Sequence, residues 1–331
     1  MGELAERVGI TSMAISNYEK GIRTPDIEIL RRLANALGVS VPDFMFARDE
    51  ELHFIHGAFR KNSRLNKTKQ EFVRESIEEY FNRFYNIIAI LGECVLPSAP
   101  QCGAALSLDN EENARRMRQW LHLAPEGPVG NLVSILENNG ILVFMLKLSD
   151  SQFSGINGAV NGRPFVSINV NMPPERQRFT IVHELAHMYF AWPENMDQVA
   201  AEKKVDAIAG AFLFPKNDAI RELGVKRSEI QNEALVAKEY GISMLCLGYR
   251  AKELGIINES AYKRFSIIAS KAGWRKNEPV RIPREEPTLF RQLVYRAIAE
   301  EEISIQKGAE LLQLPYDDVR KACILEGEHA Y

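Results

Sequence analysis

The sequence predicts an α+β protein of several domains, with an all-helical N-terminal module, a central piece built on a small β-sheet and a C-terminal helical region. Three observations carry this. Residues 1–48 break into short amphipathic helices punctuated by Gly9 and Gly21. The apolar run Ile141–Leu148 reads as a buried strand, and Gly155–Val160 and Phe165–Val170 read as a hairpin joined by Asn161-Gly162. Such a two-residue turn needs positive φ at both positions, which Asn-Gly accepts. From residue 171 onward the apolar spacing is again mostly helical.

In the first 48 residues the helices fall at about Leu4–Val8, Ser12–Lys20 and Asp26–Leu37, the last stopped by Gly38. Gly9 suits the tight turn between the first two, and Thr11 can cap the second. Ala5, Val8, Ile10, Ile15, Leu30, Leu33 and Leu37 form a small core. Residues 49–104 comprise a basic linker and an amphipathic helix. Arg60, Lys61, Arg64, Lys67 and Lys69 run without an acid between Glu51 and Glu71, which reads first as a solvated linker and second as a phosphate-tracking arm. The helix spans 69–92, with Phe72, Ile77, Phe81, Phe84, Ile88 and Leu91 on its apolar face, and Pro97–Gly103 is a loop that places a boundary near 100.

Residues 105–272 begin with helices over Asp109–Leu123 and Val129–Asn139, the second ended by Gly140. The strands follow, and then the helices at 176–187, 202–214, 217–223, 227–239 and 243–254. In 273–331 a Pro-rich linker, 278–287, leads to helices over Leu289–Glu301, Ser304–Leu312 and Tyr316–Cys323. These last helices are assigned to packing or oligomerisation.

At 331 residues the chain accommodates two or three domains with real cores. A net charge of −3 carries no global nucleic-acid signature, and residues 1–48 balance six Lys/Arg against six Asp/Glu. Cys94, Cys102, Cys246 and Cys323 are scattered without a CxxC pair, which suggests a reducing cytoplasm. No signal peptide opens the sequence, and the apolar run Tyr80–Leu91 is broken by Asn82, Arg83 and Asn86 and is too short to span a bilayer.

The chemistry concentrates in Arg176–His187, which contains HExxH. Residues four apart on a helix share a face, so His183 and His187 point together at one site and can hold Zn²⁺, with Glu184 beside the metal as general base. A third ligand is needed. Downstream, Glu202 and Asp206 are also four apart on a helix stopped by Pro215. One carboxylate can ligate while the other orients a histidine, and the residues alone leave open which does which.

RQRFTIVHELAHMYF, followed by the acidic helix ending AGAFLFP, resembles the ImmA/IrrE family of metallopeptidases. GITSMAISNYEKGIRTPDIEILRRLANALGVS resembles the Xre (Cro/cI-type) helix-turn-helix that family members often carry. The likeness covers roughly residues 1–48 and 108–330. The family's first helix precedes the segment that starts here at Met1, so that helix is expected to be missing. The family often has a further acid where this chain has Lys204, a departure that places the third ligand at Glu202 and keeps Asp206 open.

The resemblance implies a zincin-like fold with an edge strand above the metal helix, for which Phe165–Val170 is the candidate. It implies a cytoplasmic zinc metalloendopeptidase that cuts a repressor- or antitoxin-like protein in a stress-response or toxin–antitoxin setting. It also implies operator binding, in which the helix from Thr11 to Glu19 enters the major groove. Thr11, Ser12, Met13, Ser16 and Asn17 face the bases and Lys20 and Arg23 reach phosphates, usually in a homodimer. The competing reading is a non-proteolytic DNA-binding regulator or antitoxin with a zinc-binding structural or sensing domain. Tyr189 and Tyr240 are the oxyanion candidates, and Cys246 and Cys102 are the thiols available to mask a metal.

Overall fold

The computed structural model describes residues 2–19, 22–37, 41, 52–57, 65–149, 153–230, 233–274, 277–279 and 281–328. The chain divides into two compact units, 1–51 and 52–331.

The first unit holds α1 (Gly2–Val8), α2 (Ser12–Glu19) and α3 (Ile27–Leu37). Its core is Ala5, Val8, Ile15 and Leu33, with Leu4, Ile10, Ile29 and Ala36 against it. Leu37 is half exposed and takes no part. Gly9 at φ +73° makes the turn between α1 and α2, a conformation that costs glycine nothing. Thr11 Oγ1 then accepts from Ala14 N at 3.1 Å and caps α2. Thr11, Ser12, Met13 and Arg23 are exposed, whereas Ser16 and Asn17 are half-buried. Lys20 lies outside the described residues, as do Arg60, Lys61 and Arg64 of the basic stretch.

The second unit is layered on a mixed four-stranded sheet in the order β1-β4-β5-β3. Its strands are β1 (Phe54–His56), β3 (Leu142–Leu146), β4 (Gly155–Val160) and β5 (Arg163–Asn169). β1/β4 and β4/β5 are antiparallel and β3/β5 parallel. Asn161 and Gly162 have φ of 49° and 76°, the hairpin turn expected from their identity. β5 is not the edge strand the sequence suggested. Its whole length after Arg163 is buried between β4 and β3, as its nearly continuous apolar run requires. The segment before residue 65 is not merely a linker either, because β1 closes the outer side of β4.

One face of the sheet packs on α4 (Lys67–Leu91) and, further along the chain, α13 (Leu289–Ala299) and α14 (Ile305–Leu312). Phe81, Phe84, Phe165 and Phe290 fill that layer. The other face carries α7 (Pro174–Tyr189), on which a larger core assembles from α5 (Asn110–Trp120), α6 (Leu132–Asn138), α8 (Gln198–Leu213), α10 (Ala234–Tyr240), α11 (Met244–Glu253) and α12 (Glu259–Lys271). A short parallel pair, β2 (Ala104–Ala105) with β6 (Phe190–Ala191), tethers the end of α7. α10 is shorter than the expected 227–239 helix, and α12 is an additional helix. α9 (Lys216–Leu223) and α15 (Tyr316–Glu328) complete the set. Among the described residues no helix is long and apolar enough to cross a membrane.

Buried guanidinium groups fix the helices that matter most. The last carbonyls of an α-helix have no partner within it. Arg118 of α5 donates from Nε to Phe212 O at 2.8 Å, and Arg250 of α11 donates from Nε to Phe214 O at 3.0 Å, so α8 is capped from two sides. Arg118 also bonds Ala124 O and Gly127 O, and burial pulls its pKa down to about 10. At the start of α7, Arg178 bonds Val129 O, Gly130 O and Glu285, whose carboxylate also accepts from Leu132 N and Val133 N. The Pro-rich 278–287 stretch is therefore strapped to α6 and α7.

Arg118→Met leaves the buried Phe212 carbonyl, and the partly exposed carbonyls of Ala124 and Gly127, without this donor. At about 1–3 kcal/mol for one unsatisfied buried group, the expected loss is about 1–3 kcal/mol, read as a lower urea midpoint with an unchanged slope. A loss below about 1 kcal/mol would show that the cap of α8 is incidental.

Candidate metal centre

α7 begins at Pro173-Pro174, where the missing N–H costs nothing, and is buried along most of its length. Ile181, Val182, Leu185 and Ala186 anchor it in the larger core, and His183 is 2 % exposed. α8 packs directly against α7, capped at its start by Asp197, whose side chain accepts from Ala200 N. This pairing brings Glu202 up to the two histidines.

The atoms converge closely. His183 Nε2 and His187 Nε2 are 3.2 Å apart. Glu202 places one carboxylate oxygen 3.4 Å from His183 Nε2 and the other 3.4 Å from His187 Nε2. A tetrahedral zinc ion with bonds of about 2.0–2.1 Å separates its ligand atoms by about 3.3–3.4 Å. Each imidazole nitrogen thus lies at such an edge length from the other and from one of the two Glu202 oxygens. The chemistry also fits, since two imidazoles and a carboxylate are a zinc donor set with one position left for water.

Asp206 lies one turn further along α8. Its Oδ1 is 2.8 Å from His183 Nδ1, so the carboxylate holds that nitrogen protonated and turns the Nε2 lone pair toward the other donors. The two carboxylates left open by spacing thus take different positions. Lys204 points elsewhere: its Nζ bonds Leu108 O and Asn110 Oδ1, each at 2.9 Å, and joins α8 to the start of α5.

Glu184 is buried, 6 % exposed, and its Oε2 accepts from Asn157 Nδ2 at 2.8 Å. Asn157 lies on β4 and was not singled out by sequence reasoning. The available signal was a lone amide side chain between Ile156 and Gly158 in an otherwise apolar strand. Trp192 was also missed. Its ring lies 5.6 Å from that of His187 and its Nε1 bonds Ala186 O. The tyrosines are engaged elsewhere. Tyr240 O–H accepts from Arg221 Nη2 at 2.8 Å, and Tyr189 packs on Trp120 with ring centres 4.7 Å apart.

A pocket of about 600 Å³ opens beside Asp206, lined by Phe179, Cys246, Tyr249 and Trp274 among others. Cys246 sits here rather than among the three converging donors. Burial pushes its thiol up to about 12, which keeps it protonated. Cys102 is likewise raised by burial. Neither supplies the ready thiolate that masking a metal would need.

Residues 136–252 match the peptidase family described as the IrrE N-terminal-like domain, and residues 1–44 match a helix-turn-helix family. A relative from Bacillus subtilis (strain 168), described as the HTH-type transcriptional regulator ImmR, is 35% identical over 86 residues. That match covers 25% of this chain and 61% of the relative, so the chain spans less than two thirds of the length of the curated relative it matches.

Burial disfavours the charged thiolate, so the Cys246 thiol stays protonated at pH 8. Iodoacetamide in native protein is therefore expected to label exposed Cys94 long before Cys246, by peptide mass spectrometry, and raising the pH toward 10 increases labelling of Cys246 while the fold persists. Rapid labelling of Cys246 at pH 7 would contradict its raised pKa.

Proposed function

We propose that this chain, which joins a helix-turn-helix module to an IrrE N-terminal-like peptidase domain, is a DNA-binding regulator whose second unit is a zinc metalloendopeptidase that cuts a repressor- or antitoxin-like protein partner. The observation that carries this reading is the convergence of His183, His187 and Glu202 with a buried Glu184 beside them. In this reading the first three hold Zn²⁺ and Asp206 orients His183. When bound, the ion polarises a peptide carbonyl and makes its water acidic.

The chain's own groups do the rest. Glu184 takes the proton of the attacking water and delivers it to the leaving amine. Asn157, by donating to one carboxylate oxygen, holds Glu184 in place with its other oxygen free to accept. In the first unit, Thr11, Ser12, Met13, Ser16 and Asn17 are assigned to bases and Lys20 and Arg23 to phosphates, on a duplex read by a dimer.

Purified protein is expected to carry about one zinc per chain by elemental analysis. Glu202→Ala loses it, and Asp206→Asn weakens it about 10–100-fold through the lost orientation of His183. Glu184→Gln keeps zinc and fold. Profiling of new protein N-termini in a cell extract treated with wild type should show a small set that is absent with Glu184→Gln. No such termini, with DNA binding intact in both forms, would establish the non-proteolytic regulator instead.

For the first unit, Arg23→Ala should weaken binding to duplexes of any sequence and reduce the salt slope by about one. An unchanged slope would remove Arg23 from the phosphate contacts.

A further inference from the structure

β4 runs past the general base, because its Asn157 side chain bonds Glu184. One edge of β4 is taken by β5 and the other by β1, in antiparallel register Phe54↔Val160, Ile55↔Ala159 and His56↔Gly158. The chain leaves β1 through Gly57, whose N–H donates to Asn157 O at 2.8 Å. At the far end, His53 N donates to Asn161 Oδ1 and Asn161 N donates to His53 O, both at 2.9 Å. The backbone hydrogen bond that an extended peptide would make beside Glu184 is thus made by the chain itself. Extended peptides bind sheet edges through such main-chain bonds, with alternate side chains setting specificity.

Two glycines permit this close approach. A Cβ at position 57 would come within 2.6 Å of Asn157 O and 2.9 Å of its Oδ1, and one at position 158 would come within 2.5 Å of Ile55 O. Neither backbone oxygen can move without breaking the sheet. The anchors of β1 lie on the opposite face, where Phe54 packs into the α4 layer and His56 Nε2 meets Glu78 Oε1 at 3.0 Å. Ile55 remains 58 % exposed. A three-residue strand held by two side chains is a weak occupant compared with the long β4/β5 and β3/β5 pairings.

We propose that β1 is a tethered occupant of the peptide slot, and that an extended segment of a partner protein enters by exchanging with it. A segment bound in the same register carries a glycine where it crosses Asn157. The tether continues directly into the helix-turn-helix unit, since only residues 38–53 separate α3 from β1. What the slot serves rests on the peptidase reading; its occupancy does not.

The test uses the full chain and a fluorescein-labelled peptide, Leu-His-Phe-Ile-His-Gly, copied from residues 52–57. The variant Phe54→Ala/Gly57→Val removes one anchor and adds the clash. It should bind the peptide at least about tenfold more tightly than wild type, with faster amide exchange over 155–161. A second variant, Ile55→Cys/Ala159→Cys, joins register partners by a disulfide. Its oxidised form should bind no peptide, and reduction should restore the wild-type level. Peptide binding by the released variant no tighter than wild type, despite faster exchange, would overturn the proposal, as would wild-type binding by the oxidised lock. Zinc content, measured alongside, is expected to be unchanged in all forms. If the peptide results hold but new N-termini are never produced, the peptidase reading fails and the slot remains. If the peptide results fail while new N-termini persist, only the occupancy of the slot is lost.

Discussion

Two imidazole nitrogens and a carboxylate held within 3.4 Å of one another make a demand that the surrounding protein cannot meet alone. With His183 Nδ1 protonated toward Asp206, its Nε2 is a lone pair aimed at another nitrogen and an oxygen anion. Such a cluster is stable when a cation lies between its members or when protons do, and a divalent ion meets the demand with one partner. The geometry is therefore a statement about the metal as much as about the protein.

The two helices that carry the cluster are positioned by side chains outside it. Glu202 and Asp206 are placed by α8, and α8 is placed by Arg118 and Arg250 at its last turn and by Lys204 near its first. α7 is placed by Arg178 and the strapped 278–287 stretch at one end and by the small β2/β6 pair at the other. The histidines themselves contribute little to holding these helices together. The long side chains do it by bonding carbonyls that helix ends and loops leave unpaired.

Much of this was legible in the sequence, and the reason is local. HExxH on a buried helix declares its own geometry through the helical repeat, and Asn161-Gly162 declares a hairpin through the φ values it tolerates. Glu202 and Asp206 declared a shared face but not their division of labour, because which carboxylate meets which nitrogen depends on how α8 rotates against α7. Sheet order was the poorest reading. β5 is internal because β3 pairs with it in parallel, a long-range pairing that neither strand's own residues declare, and the three-residue β1, Phe54–His56, lies inside what composition presents as a basic linker. Asn157 escaped for the same reason, since a lone polar residue in a strand has meaning only once its neighbour across the layer is known. Nothing local in the sequence marks Arg118, Arg178 and Arg250 for burial, because each is buried against carbonyls far away in the chain.

The central claim is that the two histidines and Glu202 bind a metal with an open position, and zinc K-edge X-ray absorption on the purified full chain tests it most directly. The account predicts a shell of nitrogen and oxygen ligands at about 2.0–2.1 Å with the scattering pattern of two imidazoles and no sulfur. A sulfur shell at about 2.3 Å, placing a cysteine on the metal, would contradict it.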